Sequence, residues 1–338
     1  MSYPISRDNR RTFDPQWAGE VFVCDVDRTY LATRFSSLKG LASIPFEAAI
    51  DKHEIAGMVP LLHEVRRGPG KDSRSTPLYF VSASPAQLRP IIERKMLYDG
   101  VEFDGTTFKD WWRSVAMLRP ARLREQVGFK VAALCALRRE LPPGAREVLL
   151  GDDLETDVSS FTLYADALAA RLSADEVEQA LVRHGVAADD AAALRHELSL
   201  LLPLPEPVAR IYIRLERTAD ADAFLDFAPH VIACFDSLQM AVSLFEHGAV
   251  SLDGVGRVAA DLAAHGVTRA VLGERLGDVC ARGLATPATC GRVQASLGAA
   301  GHLDGALALP ELRAAWRQAA SRPVAQPWTP ARLLGREA

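Results

Sequence analysis

The stretch Val21–Tyr30, VFVCDVDRTY, decides how the rest of the chain reads. It opens as an unbroken apolar run with β-branched valines, the pattern of a strand buried on both faces of a parallel sheet. It closes on two carboxylates one residue apart, Asp25 and Asp27, followed by Thr29. A carboxylate pair at the end of a core strand is costly unless a cation or a reaction uses it. The carboxyl ends of parallel strands are also where open α/β sheets bind their ligands. Asp-X-Asp arises by chance as well, so the reading depends on the residues further along the chain.

Three further apolar runs end in polar groups. PLYFVSASP, Pro77–Pro85, ends in Ser82 and Ser84 ahead of the helical pattern AQLRPIIERKMLYDG. A hydroxyl placed there can cap the helix or help hold an anion at its amino-terminus. TTFKDWW reads as a third strand with Lys109, Asp110, Trp111 and Trp112 at its end. The next segment, on the ligand side, carries Arg113, Arg119, Arg122 and Arg124, either as contacts for an acidic substrate or as exposed helix charge. Lys130 opens the helix KVAALCALRREL, where a cation opposes the helix dipole. REVLLGDDLETDVSS is a fourth strand running into Asp152, Asp153, Glu155 and Asp157, more acid than a helix cap requires. VARIYIRL, Val208–Leu215, reads as a fifth buried strand. The fold expected is α/β, a three-layer sandwich around a central parallel sheet. Residues 165–202 read as a pair of Ala/Leu-rich helices. Everything from Asp220 reads as helical, with residues 218–320 forming a C-terminal helical region. The Pro- and Arg-rich residues 321–338 read as a flexible tail or one draped on the surface.

Composition excludes several classes. A 338-residue chain that is 49% hydrophobic and 24% charged can bury an ordinary core, and its formal net charge of -4 gives no case for nucleic acid. The five cysteines are widely spaced with no CxxC pair, which supports neither zinc nor a disulfide framework and fits a reduced, cytoplasmic setting. The N-terminus is polar without a signal core, no apolar stretch is long enough for a transmembrane helix, and the histidines show no ligand spacing.

Four strand ends therefore supply Asp25 and Asp27, Ser82, the nearby Lys130, and Asp152 with Asp153 and Asp157. Carboxylates suit a hard divalent cation, and because every candidate ligand is oxygen, Mg²⁺ is favoured over zinc. Ser and Lys suit a dianion. Such a site fits phosphoryl transfer, in which positioning and charge neutralisation do most of the catalysis.

In this order DVDRT, FVSAS, Lys130 and GDDLETD resemble the four motifs of the haloacid dehalogenase (HAD) superfamily of phosphatases. HEIAGMVPLL, YFVSASPAQLRPIIE, FKDWW, GDDLETD and IYIRL are together similar to the actin-patch-type phosphatidate phosphatase family, over residues 18–217. The resemblance implies a HAD-like Rossmannoid catalytic domain with Asp25 as nucleophile, forming an aspartyl-phosphate. It implies that Asp27 protonates the leaving oxygen and then activates water, and that Thr29, Ser82 and Ala83 hold the phosphoryl group. Lys130 would neutralise charge, and Asp25, Asp27 and Asp152, supported by Asp153 and Asp157, would hold Mg²⁺.

The chain departs from the family pattern at Arg28, where a small or acidic residue is usual, so that the nucleophile loop carries an added positive charge. It departs again in the 166–205 insertion, a lid or an assembly surface. The two places where the superfamily inserts caps hold only the short segments 31–54 and 110–129, which implies an open site for a large or surface-presented phosphoester. Trp111, Trp112 and the following arginines would then form part of its rim. Phosphatidate or another large phosphoester is the first expectation for the substrate. The alternatives are a phosphatase of proteins or soluble metabolites, and a catalytically silent scaffold that binds a partner through its C-terminal helices.

Overall fold

The computed structural model of the protein describes residues 3–32, 53–116, 125–201, 206–304, 308–323 and 326–334. Seven strands form one sheet: β1 (Ile5–Asn9), β2 (Glu20–Asp25), β3 (Leu78–Pro85), β4 (Gly105–Lys109), β5 (Arg146–Asp152), β6 (Val208–Arg214) and β7 (Val231–Cys234). Their order is β1-β4-β3-β2-β5-β6-β7, parallel throughout except for β1, which runs antiparallel to β4 along one edge. The Val21 stretch lies at the centre of this sheet, and its side chains set the layers. Val21 and Val23 enter one apolar cluster, Phe22 and Cys24 the other, because successive strand side chains point to opposite faces.

The Phe22 face is covered by α1 (Met58–Arg67) and α2 (Arg89–Tyr98), and by α8 (Ser237–Glu246), α9 (Leu252–Ala264), α10 (Arg269–Arg282) and α11 (Pro287–Ala299). The C-terminal helices are therefore no appendage. Leu238, Val242, Val255 and Leu276 share a core with Phe22, Phe80 and Val148, and Arg257 makes a two-point ion pair with the buried Glu64 of α1 at 2.7 and 2.8 Å. The Val21 face is covered by α4 (Val127–Arg138), α5 (Asp157–Leu168), α6 (Ala174–Arg183) and α7 (Ala188–Ser199).

The last two helices are the expected insertion, and they lie along α4. A side chain on Gly128, at the start of α4, would meet Val186 Cγ2 at 3.2 Å, while Arg139 just past its end donates to Glu197 at 2.8 Å. Val177, Leu181, Leu194 and Leu198 join the core beneath. The insertion thus thickens the helical layer.

One expectation is corrected, and one strand was unforeseen. β1 (ISRDN) has no apolar alternation, and β7 (VIAC) interrupts a region expected to be wholly helical. β1 is held by β4 and by Arg7, which donates to Thr107 Oγ1 at 2.8 Å, and β7 by pairing with β6. Over residues 326–334 the tail lies against α5. The backbone N–H groups of Trp328 and Thr329 donate to the buried Asp166 carboxylate at 2.8 and 2.7 Å, and the Trp328 ring stacks on His230 at 4.2 Å. Most of the 31–54 segment, as well as Arg119, Arg122 and Arg124, lies outside the described residues.

One buried acid makes the layer sensitive to pH. Glu147 of β5 is fully enclosed and accepts hydrogen bonds from Tyr164 Oη at 3.0 and 3.1 Å. Burial pushes its carboxyl up to about 7, against the opposing charge of Arg138. The folded state therefore holds this proton more tightly than the unfolded chain, and stability is lost as pH rises from the ordinary carboxylate range through about 7. Glu147→Gln keeps the acceptor for Tyr164 and removes the titration. Thermal melts should show the variant more stable than wild type near pH ~8 and indistinguishable from it near pH ~5. An equal gap at both would show that Glu147 does not titrate in this way.

Candidate active site

The direction of strand succession reverses at β2, with β3 on one side and β5 on the other, so a crevice opens between their carboxyl ends. β2 ends in Asp25 and β5 in Asp152, both buried. After Asp25 the chain turns tightly, Tyr30 and Leu31 donating their N–H groups to the Val26 carbonyl at 3.1 and 2.9 Å. The turn requires Arg28 to adopt a left-handed φ of 63°, which disfavours a side chain of this size. The same turn brings Asp27 and Thr29 back into the crevice, and both are buried.

β3 contributes two hydroxyls on one side of the strand, as residues two apart must. Ser82 and Ser84 donate to the same oxygen, Asp27 Oδ2, at 3.1 and 2.9 Å. Ser82 was expected to cap a helix or hold a phosphoryl oxygen, but its hydroxyl is used here as half of a clamp on Asp27. Ala83 lies between them, and its carbonyl accepts a hydrogen bond from Trp111 Nε1 at 3.3 Å. Trp111 begins α3 (Trp111–Ala116), a short helix that follows β4 on the rim.

Lys130 lies in the first turn of α4 and is fully buried. Its ammonium pairs with Asp157, with Asp25 Oδ1 at 3.0 Å and with Glu155 Oε2 at 3.3 Å. These partners explain its unusual position at a helix start. Desolvation would lower its pKa, but the surrounding carboxylates, Asp157 first, hold it well above the ordinary value. Asp157 Oδ2 accepts the Asp152 N–H at 3.0 Å, and Asp152 Oδ1 accepts the N–H groups of Leu154 and Glu155 at 2.7 and 3.0 Å. Gly151 permits this arrangement, since a Cβ there would lie 2.5 Å from Asp157 Oδ2.

One carboxylate oxygen from each of Asp25, Asp152 and Asp157 lies within 4.8 Å of the others. Several polar atoms in this crevice are buried without a partner: Asp25 Oδ2, Asp27 Oδ1, Thr29 Oγ1 and Asp152 Oδ2, while Asp25 Oδ1 has only the Lys130 ammonium. Such orphans cost free energy unless a ligand meets them. An all-oxygen donor set with unsatisfied anionic atoms fits a hard divalent cation. Burial raises Asp25 well above the ordinary carboxylate range, with Asp157 adding to the effect and Lys130 opposing it. Asp152 is pushed up to about 7 by burial and by Asp157. Asp27 is raised to about 6 by burial and Glu155, against the hydrogen bonds from Ser84 and Ser82.

Asp153, expected among the metal ligands, is turned elsewhere. Its Oδ1 accepts the N–H groups of Glu216 and Arg217 at 2.7 and 2.9 Å, and its Oδ2 that of Thr218 at 2.7 Å. It fixes the loop after β6, and Glu216 on that loop pairs with both Arg28 and Arg214. The charge that Arg28 adds to the turn after β2 is thus answered by an anion 188 residues away. Sequence reasoning missed Ser84 as the second half of the Asp27 clamp, although its spacing from Ser82 carried that signal. It also missed Glu155 as a partner of Lys130 and Glu216 as a partner of Arg28.

Comparison with known families places one match on this region. Residues 21–184 match the family model described as "Phosphatidate phosphatase APP1, catalytic domain". The match takes in Asp25, Asp27, Ser82, Lys130, Asp152 and Asp157 and ends before β6. No curated protein and no solved structure matches the chain.

Crowding of carboxylates should show in stability. With divalent cations removed by EDTA, Asp25→Asn should melt above wild type at neutral pH, because the neutral isostere relieves repulsion with Asp157. Adding a divalent cation should raise the wild-type melting temperature and leave the variant nearly unmoved. An equal response in both would remove Asp25 from the cation site. Asp153→Ala should instead lower the melting temperature and keep the cation response, since it holds backbone amides.

Proposed function

We propose, from the match of residues 21–184 to a phosphatidate phosphatase catalytic-domain family, that the chain is a Mg²⁺-dependent phosphomonoester hydrolase of HAD type. The observation that carries this reading is the set of orphaned buried oxygens on Asp25 and Asp152 beside the buried Lys130 ammonium. That set is costly in a resting fold and is answered by a divalent cation together with a phosphoryl dianion. Asp25, Asp152 and Asp157 would hold the cation, which when bound neutralises charge on the phosphoryl group.

The remaining roles fall to side chains. An oxygen of Asp25 attacks phosphorus, forming an aspartyl-phosphate as the bond to the ester oxygen breaks. Asp27, with a carboxyl near 6, gives its proton to that leaving oxygen. In the second half, Asp27 takes a proton from the water that attacks phosphorus, and Asp25 is released with inorganic phosphate. Ser82 and Ser84 orient the Asp27 carboxyl, leaving its other oxygen free toward the crevice. Thr29 Oγ1 offers a phosphoryl contact, and Lys130 holds Asp25 in place while screening the incoming charge.

Phosphatidate is the substrate favoured by the family match, with soluble phosphoesters the second reading. No helix among the described residues is long and apolar enough to cross a membrane. The five cysteines are free and buried, in keeping with a reducing, cytoplasmic setting.

Phosphate release should be measured from an aryl phosphate and from short-chain phosphatidate, with Mg²⁺ or EDTA. EDTA should abolish turnover. Asp25→Asn should lose at least ~10³-fold in kcat, and Asp27→Asn ~10²–10⁴-fold, least on the aryl ester, whose good leaving group needs little proton donation. Full activity of Asp25→Asn would end the aspartyl mechanism, and turnover of aryl phosphate alone would favour a soluble substrate.

A further inference from the structure

A phosphatidate headgroup sits at the surface of a bilayer, and no described helix of this chain spans one. The crevice must therefore be brought to the surface by groups at its mouth. α3 stands there, following β4 at the carboxyl edge of the sheet, and its two tryptophans differ. Trp111 is half-buried and tied through Nε1 to the Ala83 carbonyl, between the two serines that clamp Asp27. Trp112 beside it is 69% exposed.

A large aromatic side chain left in water is unfavourable, whereas at a membrane–water interface its apolar body and polar N–H are both accommodated. Among the described residues the other exposed large apolar side chains are Val182 on α6, less exposed, and Leu97, Tyr98 and Leu200, which sit at the carboxyl ends of α2 and α7. α2 runs away from the β3 terminus, and the end of α7 lies beside Arg139, past the far end of α4. Leu97, Tyr98 and Leu200 are therefore on the opposite edge of the sheet.

The charges around the mouth suit the same surface. Arg113 follows Trp112 and is exposed, as is Arg217 on the loop after β6, and neither makes an ion pair among the described residues. β4 and β6 stand two strands from β2 on either side, so these two cations flank the crevice. A phosphatidate-bearing bilayer is anionic and attracts such groups.

We propose that Trp112, with Arg113 and Arg217 flanking the crevice, is the docking surface by which this protein seats its active site on an anionic lipid bilayer. The inference rests on the phosphatidate reading of the site and adds where the protein meets its substrate's surface. Trp112 inserts at the headgroup level, and the arginines hold the mouth against the lipid phosphates.

The test uses full-length wild type, Trp112→Ala, the double variant Arg113→Gln/Arg217→Gln, and Tyr98→Ala as an exposed-aromatic control from the opposite edge. Each is assayed for co-sedimentation with phosphatidylcholine vesicles with and without phosphatidate. Each is also assayed for phosphate release from the phosphatidate vesicles and from monomeric short-chain phosphatidate. Trp112→Ala should lower vesicle binding and vesicle turnover by ~10-fold while monomer turnover stays within ~2-fold. The double variant should lose the preference for phosphatidate-bearing vesicles, and Tyr98→Ala should match wild type.

Equal vesicle binding by wild type and Trp112→Ala overturns the docking surface, as does a Tyr98→Ala loss as large as that of Trp112→Ala. Wild type that hydrolyses aryl phosphate but not monomeric short-chain phosphatidate overturns the substrate reading instead. The sedimentation arm then still decides whether Trp112 binds lipid.

Discussion

The ion pairs of Lys130 are the constraint on which the rest depends. Three buried carboxylates, Asp25 and Asp152 at strand ends and Asp157 at the start of α5, cannot be packed this closely without a compensating cation, since each would be driven to its neutral form. Lys130 supplies a fixed positive charge against Asp25, Asp157 and Glu155 from the first turn of α4. It compensates only in part. Asp25 and Asp152 remain raised, and their outer oxygens remain without partners. The fold thus holds the site in a state of incomplete neutralisation, in keeping with the general observation that functional sites retain unfavourable electrostatics within an otherwise satisfied core.

Around that centre, each carboxylate has a separate environment and hence a separate task. Asp27 is clamped on one oxygen by two hydroxyls and faces the crevice with the other. Asp157 is shared between Lys130 and the Asp152 backbone, an interaction possible only because residue 151 has no side chain. Asp153, one residue from Asp152, is consumed by three backbone amides. It thereby joins the acidic loop to the loop after β6, where Glu216 receives Arg28 from the turn after β2. The loops after β2, β5 and β6 are in this way one connected unit, and the left-handed Arg28 is held from both its side chain and its carbonyl.

The same sheet explains why the chain extends well past its family match. A parallel sheet needs both faces covered. α4 to α7 cover the Val21 face, but α1 and α2 cover only part of the other. α8 to α11 complete that face, and β7 extends the sheet beneath them. The C-terminal third is thus a structural requirement of the catalytic half as well as a surface in its own right.

Elements whose signal is local are legible in the residues alone. Val21–Asp25, Leu78–Val81, Val148–Leu150 and Ile211–Ile213 are apolar enough to be only central strands. The polar residues that end them, Asp25, Asp27, Ser82, Asp152 and Asp157, mark the crevice without any coordinates, and so does the misplaced cation Lys130. What only the tertiary structure decided is what each polar group touches. β1 is a polar pentapeptide and β7 four residues long, so both become strands through pairing with neighbours distant in sequence. Trp328 is ordered by Asp166 and His230, which no tail composition reveals. Asp152 and Asp153 are identical letters side by side, and successive side chains leave a strand end in opposite directions. One therefore faces Asp25 and Asp157 and the other the backbone of a loop more than sixty residues downstream.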